Sequence, residues 1–150
     1  MALRDQITED MKSAMRAKDS GRLGAIRLLL AAIKQKEIDE RIVLDDGQVL
    51  SIIEKLVKQR KDSITQFQAA KRDDLVAKEQ AELTLLQGYL PQQANADEIA
   101  AEIDAAIAAV DAKGPADMGK VMGPLRSRLA GKADLATVSA LVKARLSGAA

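Results

Sequence analysis

The sequence predicts an all-α protein, and three observations carry that expectation. Apolar residues recur at helical spacing over almost the whole chain. No segment shows the sustained apolar-polar alternation of a half-buried strand. Aromatic residues are reduced to Phe67 and Tyr89, so the core has to be assembled from Leu, Ile, Val, Met and Ala, side chains that pack well between helices.

Seven helices are expected. The first covers Ala2 to Ala17, with Leu3, Ile7, Met11 and Met15 on one stripe, and Lys18-Asp19-Ser20-Gly21 ends it. Ser20 is the expected N-cap of the second, which turns Leu23, Ile26, Leu30 and Ile33 inward and runs to about Glu40. Asp45-Asp46-Gly47 marks the next start. The third helix carries Val49, Leu50, Ile53, Leu56, Val57, Ile64 and Phe67 and ends near Ala70. Asp73 or Asp74 should cap the fourth, in which Leu75, Val76, Leu83, Leu86 and Leu90 follow the period until Pro91, lacking an N–H donor, forces a stop.

Pro91-Gln92-Gln93-Ala94 is the expected boundary between a four-helix N-terminal domain, 1–91, and a three-helix C-terminal domain, 95–150. Asn95-Ala96-Asp97-Glu98 has the form of a capping box for the fifth helix, which continues through Ile99, Ile103, Ile107 and Val110. Gly114-Pro115 ends that run. A sixth helix from Pro115 to Leu129 is followed by Gly131, and a seventh from Asp134, its natural N-cap, to Leu146. Tyr89, next to Leu90-Pro91, is expected at the joint between the domains. There is no internal repeat.

Composition removes whole classes of function. The 150 residues are 47% hydrophobic and 30% charged, a globular balance without the roughly 18 uninterrupted apolar residues of a membrane span. Met1 to Asp10 carries three acids where a signal peptide would be basic and then apolar, so a cytoplasmic location is expected. With neither Cys nor His there is no disulfide, no thiolate or imidazole metal site and no nucleophile-histidine relay, and nothing calls for a cofactor. Two rings are too few for a base-stacking platform.

The net charge of +1 hides a contrast, because Pro91 to Asp117 holds six acids and one base whereas Met118 to Ala150 holds six bases and one acid. That basic tail suits an acidic partner. Within it, Met118, Met122, Leu125 and Leu129 fall on one side of the sixth helix, while Gly119, Gly123 and Ser127 lie four apart on another flank that has almost no side-chain bulk. A helical Gly costs about 1 kcal/mol relative to Ala. Either the fifth or seventh helix crosses closely at these glycines, or an external partner approaches the backbone there, beside Lys120. Pro124 leaves the Lys120 carbonyl without its usual partner, so a kink or restart is expected at Gly123-Pro124.

Asp117-Met118-Gly119-Lys120-Val121-Met122-Gly123, Gly131-Lys132-Ala133-Asp134 and Val138-Ser139-Ala140-Leu141-Val142-Lys143 resemble the GatB/YqeY family. Glu37-Ile38-Asp39, Lys58-Gln59-Arg60-Lys61-Asp62-Ser63, Glu79-Gln80-Ala81-Glu82 and Tyr89-Leu90-Pro91 extend the resemblance to the stand-alone YqeY-like proteins and over nearly the whole chain. It implies a helical N-terminal domain and a three-helix C-terminal domain, the latter shared with the tail of the B subunit of tRNA-dependent amidotransferases, where it helps to hold tRNA. It implies no kinase or amide-transfer site. Where the family shows Gly-Arg-Ala-Asp-Gly, this chain has Gly131-Lys132-Ala133-Asp134-Leu135, so the charge is kept and the planar fork of Arg is lost.

The expectation is a non-catalytic, tRNA-associated accessory module whose binding residues are Gly119, Lys120, Gly123, Arg126, Arg128, Lys132, Lys143 and Arg145. The alternatives are a protein-interaction module of the translation machinery and a carbon-nitrogen ligase using glutamine as amido donor. Lys55, Lys58, Arg60 and Lys61 form either a second basic face or a solvated surface. Glu79 and Glu82, three apart, are either paired carboxylates or ion-pair partners of Lys78 or Arg72.

Overall fold

The computed structural model describes residues 2–148. Among them are seven α-helices, one short 3-10 turn and no strand. The helices are α1 (Leu3–Arg16), α2 (Ser20–Glu40), α3 (Asp46–Ala69), α4 (Asp73–Gln87), α5 (Ala96–Val110), α6 (Met118–Arg128) and α7 (Leu135–Leu146), with the 3-10 turn at Pro115–Asp117. Two compact units result, Met1–Leu90 and Pro91–Ala150.

The N-terminal unit packs α1 on α2 and α3 on α4, and α2 bridges the two pairs. Its core holds Ile7, Ile26, Leu29, Ile33, Val49 and Ile53, each essentially without solvent contact. Burial of each such side chain contributes about 1.5–3 kcal/mol. The core of α1 passes through Ile7 and Ala14, while Met15, expected on the inner stripe, is half exposed. Ala14 takes the inward position because, at 100° per residue, the residue seven after Ile7 falls 20° from it on the helix whereas the one eight after it falls 80° away. Leu29 is likewise more deeply buried than the expected Leu30.

Three helix ends differ from expectation. The N-cap of α2 is Asp19, whose carboxylate accepts from the Arg22 amide at 3.1 Å, so Ser20 is already helical. The cap position of α4 is Arg72, and neither Asp73 nor Asp74 caps; Asp74 instead receives Nε and Nη2 of Arg72 at 3.1 and 3.0 Å. That helix ends at Gln87, before Pro91 can act. At α3 the cap is stronger than expected, because Asp45 accepts from the Gln48 amide at 2.8 Å and the Gln48 side chain accepts in return from the Asp45 amide at 3.0 Å.

Polar contacts fix the packing inside this unit. Glu37 receives Arg4 Nη2 at 2.7 Å and the Leu44 amide at 3.0 Å, tying α1 to the turn that follows α2. Arg60 on α3 reaches Glu79 at 3.3 Å and Glu82 at 3.1 Å on α4, and all three side chains are largely covered. Glu79 and Glu82 therefore pair with Arg60 rather than with Lys78 or Arg72, and Arg60 is withdrawn from any basic face with Lys55, Lys58 and Lys61. Tyr89 packs against the N-terminal core and donates from its hydroxyl to Asp10 on α1, a partner within its own unit.

The C-terminal unit is smaller. Its α6 packs on both α5 and α7, burying Ile103, Val121, Leu125, Val138 and Val142. The segment before α5 is laced to the loop before α7, because the Ala94 amide donates to the Lys132 carbonyl at 2.9 Å and Gln93 Nε2 donates to the Gly131 carbonyl at 2.6 Å. Asn95 caps α5 by accepting from the Glu98 amide at 2.8 Å. Asp134 caps α7, accepting from the Ala136 amide at 3.3 Å and from the Thr137 hydroxyl at 2.9 Å.

Candidate functional site

The bare flank of α6 begins with how the helix starts. Pro115, pre-set in φ, opens the 3-10 turn, and Asp117 accepts the Lys113 amide at 2.9 Å, which draws its carboxyl below the usual carboxylate range, with the Lys120 charge adding to the effect. The helix then runs from Met118 through Pro124 to Arg128 as one element, so of the kink or restart expected at Gly123-Pro124 the restart does not occur. Val121, Met122, Leu125 and Leu129 point into the core, where their packing holds the helix despite the lost Lys120 carbonyl bond.

On the opposite side the backbone is open. A methyl group added at Gly119 or at Gly123 would meet nothing within 4 Å, so no other helix crosses closely at these glycines. At 100° per residue, Arg126 lies 20° from Gly119 and 60° from Gly123, and it is exposed with no ion-pair partner among the described residues. Ser127 shares this flank.

The other cations divide into tied and untied. Lys120 lies 3.7 Å from Asp117, Arg128 lies 3.0 Å from Glu102, and Arg145 pairs with Asp104. The acids Glu102 and Asp104 belong to α5, so the acid-rich run 91–117 folds back to neutralise part of the basic run that follows it. Lys132 and Lys143 are exposed and have no ion-pair partner among the described residues.

The eight predicted residues therefore do not form one patch. Gly119, Gly123 and Arg126 share the open flank of α6, with Lys120 at its edge. Arg128 is about 160° round the helix from Arg126, where with Lys132, Glu98 and Glu102 it borders a shallow cleft of ≈ 220 Å³. Lys143 and Arg145 belong to the last turns of α7, where cations also suit the carbonyl end of the helix. The neutralising role of Glu102 and Asp104 was missed at the level of sequence, although the opposite charge of adjoining runs was the available signal. Among the described residues no group of three or more acidic side chains is placed to hold a metal ion. No helix among them is long and apolar enough to cross a membrane.

These features define a two-unit helical protein whose C-terminal unit presents cations around an uncovered helix flank. The sequence pattern of the YqeY-like proteins matches residues 4–146, and the chain belongs to that family. It is similar to altered inheritance of mitochondria protein 41, mitochondrial, of Eremothecium gossypii, with 48% identity over 102 residues that make up 66% of this chain and 56% of the relative. The protein of the same name from Saccharomyces cerevisiae is 49% identical over 84 residues, 55% of this chain and 45% of the relative. That from Lachancea thermotolerans is 44% identical over 102 residues, 67% of this chain and 54% of the relative. The chain spans about half the length of the curated relatives it matches.

Proposed function

We propose that the chain is a non-catalytic accessory module of translation that associates with tRNA through its C-terminal unit. The observation that carries this reading is the exposed Arg126, without an ion-pair partner among the described residues, beside two glycines whose flank is open, an arrangement that lets a phosphate backbone approach the helix closely. The resemblance of this unit to the tRNA-holding tail of an amidotransferase subunit supplies the identity of the nucleic acid. Lys132 and Lys143 add charge without first breaking an ion pair. Lys120, Arg128 and Arg145 are held only by exposed pairs worth roughly 0–1 kcal/mol, which a phosphate can replace. Recognition is by shape and backbone, since neither ring of the chain lies in this unit. The same reading locates the protein in the cytoplasm, whereas the names of the curated relatives carry the word mitochondrial; recovery of the tagged chain in the cytosolic fraction is the corresponding expectation.

A mobility-shift titration with bulk tRNA across salt concentrations tests the proposal. Affinity should fall as salt rises, and Arg126→Glu with Lys132→Glu should weaken binding and flatten the salt dependence by about one to two phosphate contacts. Undetectable binding at low salt, or binding that the double variant leaves unchanged, refutes it.

A further inference from the structure

The helix α2 is apolar on two faces, although only one of them meets the core. Inward lie Ile26, Leu29 and Ile33; outward lie Gly24, Leu28, Ala31, Gln35 and Ile38, all exposed, with Leu28 and Ile38 at 53% and 60%. Exposed Leu and Ile side chains gathered on one helix face, with polar residues at its rim, mark that face as a contact surface. The outward residues are spaced four, three, four and three apart, the repeat of a coiled-coil seam. A methyl group at Gly24 would meet nothing within 4 Å, so the seam is bare at that end. At the other end Lys34 and Ile38 share a shallow cleft with Ile42 and Val43, which are 40% and 78% exposed and continue the apolar strip past the helix terminus.

One edge of this seam is cationic. Arg27 and Lys34 stand seven residues apart on it, both exposed and both without an ion-pair partner among the described residues. Asp39, on the other edge, already accepts from Gln35 Nε2 at 2.8 Å. In a seam of this kind the flanking charges choose the partner. An antiparallel second copy would set the Arg27 and Lys34 rows against each other. An anionic lipid surface fits poorly, because the cations line only one edge, Asp39 lines the other and no aromatic side chain is present on the face.

We propose that the outer face of α2 docks an amphipathic helix of another protein, one with an apolar heptad seam and acidic residues along the edge facing Arg27 and Lys34. The contact belongs to the N-terminal unit and is independent of tRNA binding.

The test is an amide chemical-shift titration of the 150-residue chain with two synthetic helical peptides of about three heptads, both with Leu and Ile in the seam, one with Glu and one with Lys on the flanks. The Glu peptide should shift amides of Gly24, Leu28, Ala31 and Ile38. Arg27→Glu with Lys34→Glu should weaken it at least tenfold and reverse the preference toward the Lys peptide. Equal binding of the two peptides, or shifts confined to residues outside α2, overturns the proposal. So does a dimer by sedimentation that Ile38→Asp converts to monomer, since a second copy would then cover the face, and so does protection of α2 by anionic phospholipid vesicles alone.

Discussion

The Tyr89 hydroxyl donates a 2.5 Å hydrogen bond to Asp10 Oδ2, closing a contact between residues 79 positions apart. Burial raises the Tyr89 pKa and the neighbouring Asp10 carboxylate raises it further. Because the native pKa lies above the unfolded value near 10, the stabilisation is fully present below about pH 10 and is lost as pH rises through the native value. The chain has one Tyr and no Trp, so tyrosinate absorbance reports this group alone. That absorbance should appear in the native chain at higher pH than in urea, and Asp10→Asn should bring it forward. Tyr89→Phe should cost about 1 kcal/mol near neutrality and make stability less steep above about pH 10. An ordinary tyrosine titration in the folded chain would show the contact to be absent in solution.

Arg60 holds Glu79 and Glu82 in a largely covered cluster between α3 and α4. Arg60→Met should lower stability by about 1–3 kcal/mol, because two carboxylates then face each other with no cation between them. Adding Glu79→Gln and Glu82→Gln should recover most of that loss. The checks are urea midpoints of the wild type, the Arg60 variant, the Glu79→Gln, Glu82→Gln double variant and the triple variant, and strictly additive effects would dissolve the cluster as a unit.

Gly123→Ala should act in opposite directions on two readouts. The added methyl group meets nothing beyond its chain neighbours, and crowding against the Pro124 ring offsets part of the usual gain, so the helix should gain at most about 0.5 kcal/mol. The same methyl group occupies the flank assigned to the phosphate backbone, so tRNA affinity should fall. Calorimetry and the mobility-shift titration separate the two effects, and a variant improved in both would remove Gly123 from the interface.

Asp117 links the Lys113 amide to the start of α6, and its lowered pKa makes that link pH-dependent. The native value lies below the unfolded one near 3.9. Its contribution is therefore present above about pH 4 and is lost as pH falls through the native value. Thermal melts should show Asp117→Asn less stable than the wild type near neutrality, with the difference narrowing in acid. A constant difference across pH would assign the loss to geometry alone.

Much of the fold was legible because the signals were local. Apolar spacing located every helix, and Asn95 and Asp134 could be read as caps because each immediately precedes an apolar-periodic run. The caps of α2 and α4 share one cause, since the left-handed residues after α1, α2, α3 and α5 are Lys18, Arg41, Lys71 and Asp111, so the reversals just before those two caps turn on a residue that carries no glycine signal. The partners of Tyr89, Arg60 and Arg128 were illegible for another reason, since each contact joins segments far apart in sequence and no spacing rule reaches across a loop. At the candidate site the glycine flank was visible in the helical period. Which cations are already neutralised depended on how α5 lies against α6, and only the folded chain shows that.

Those four left-handed residues also bear on evolvability. Each closes its helix with the amide of the following residue bonded five positions back, as in Asp19 to Ala14 and Ala112 to Ile107, a geometry that glycine adopts without the roughly 1 kcal/mol a Cβ adds. At Lys18, Arg41 and Lys71 a cation at the carbonyl end of the helix offsets part of that strain. Asp111 has no such compensation from the helix, and Asp111→Gly should raise stability by about 1 kcal/mol in a thermal melt. At Asp111 the fold thus carries a margin for improvement that lies outside both proposed binding faces, and substitutions costly at those faces can be balanced from it.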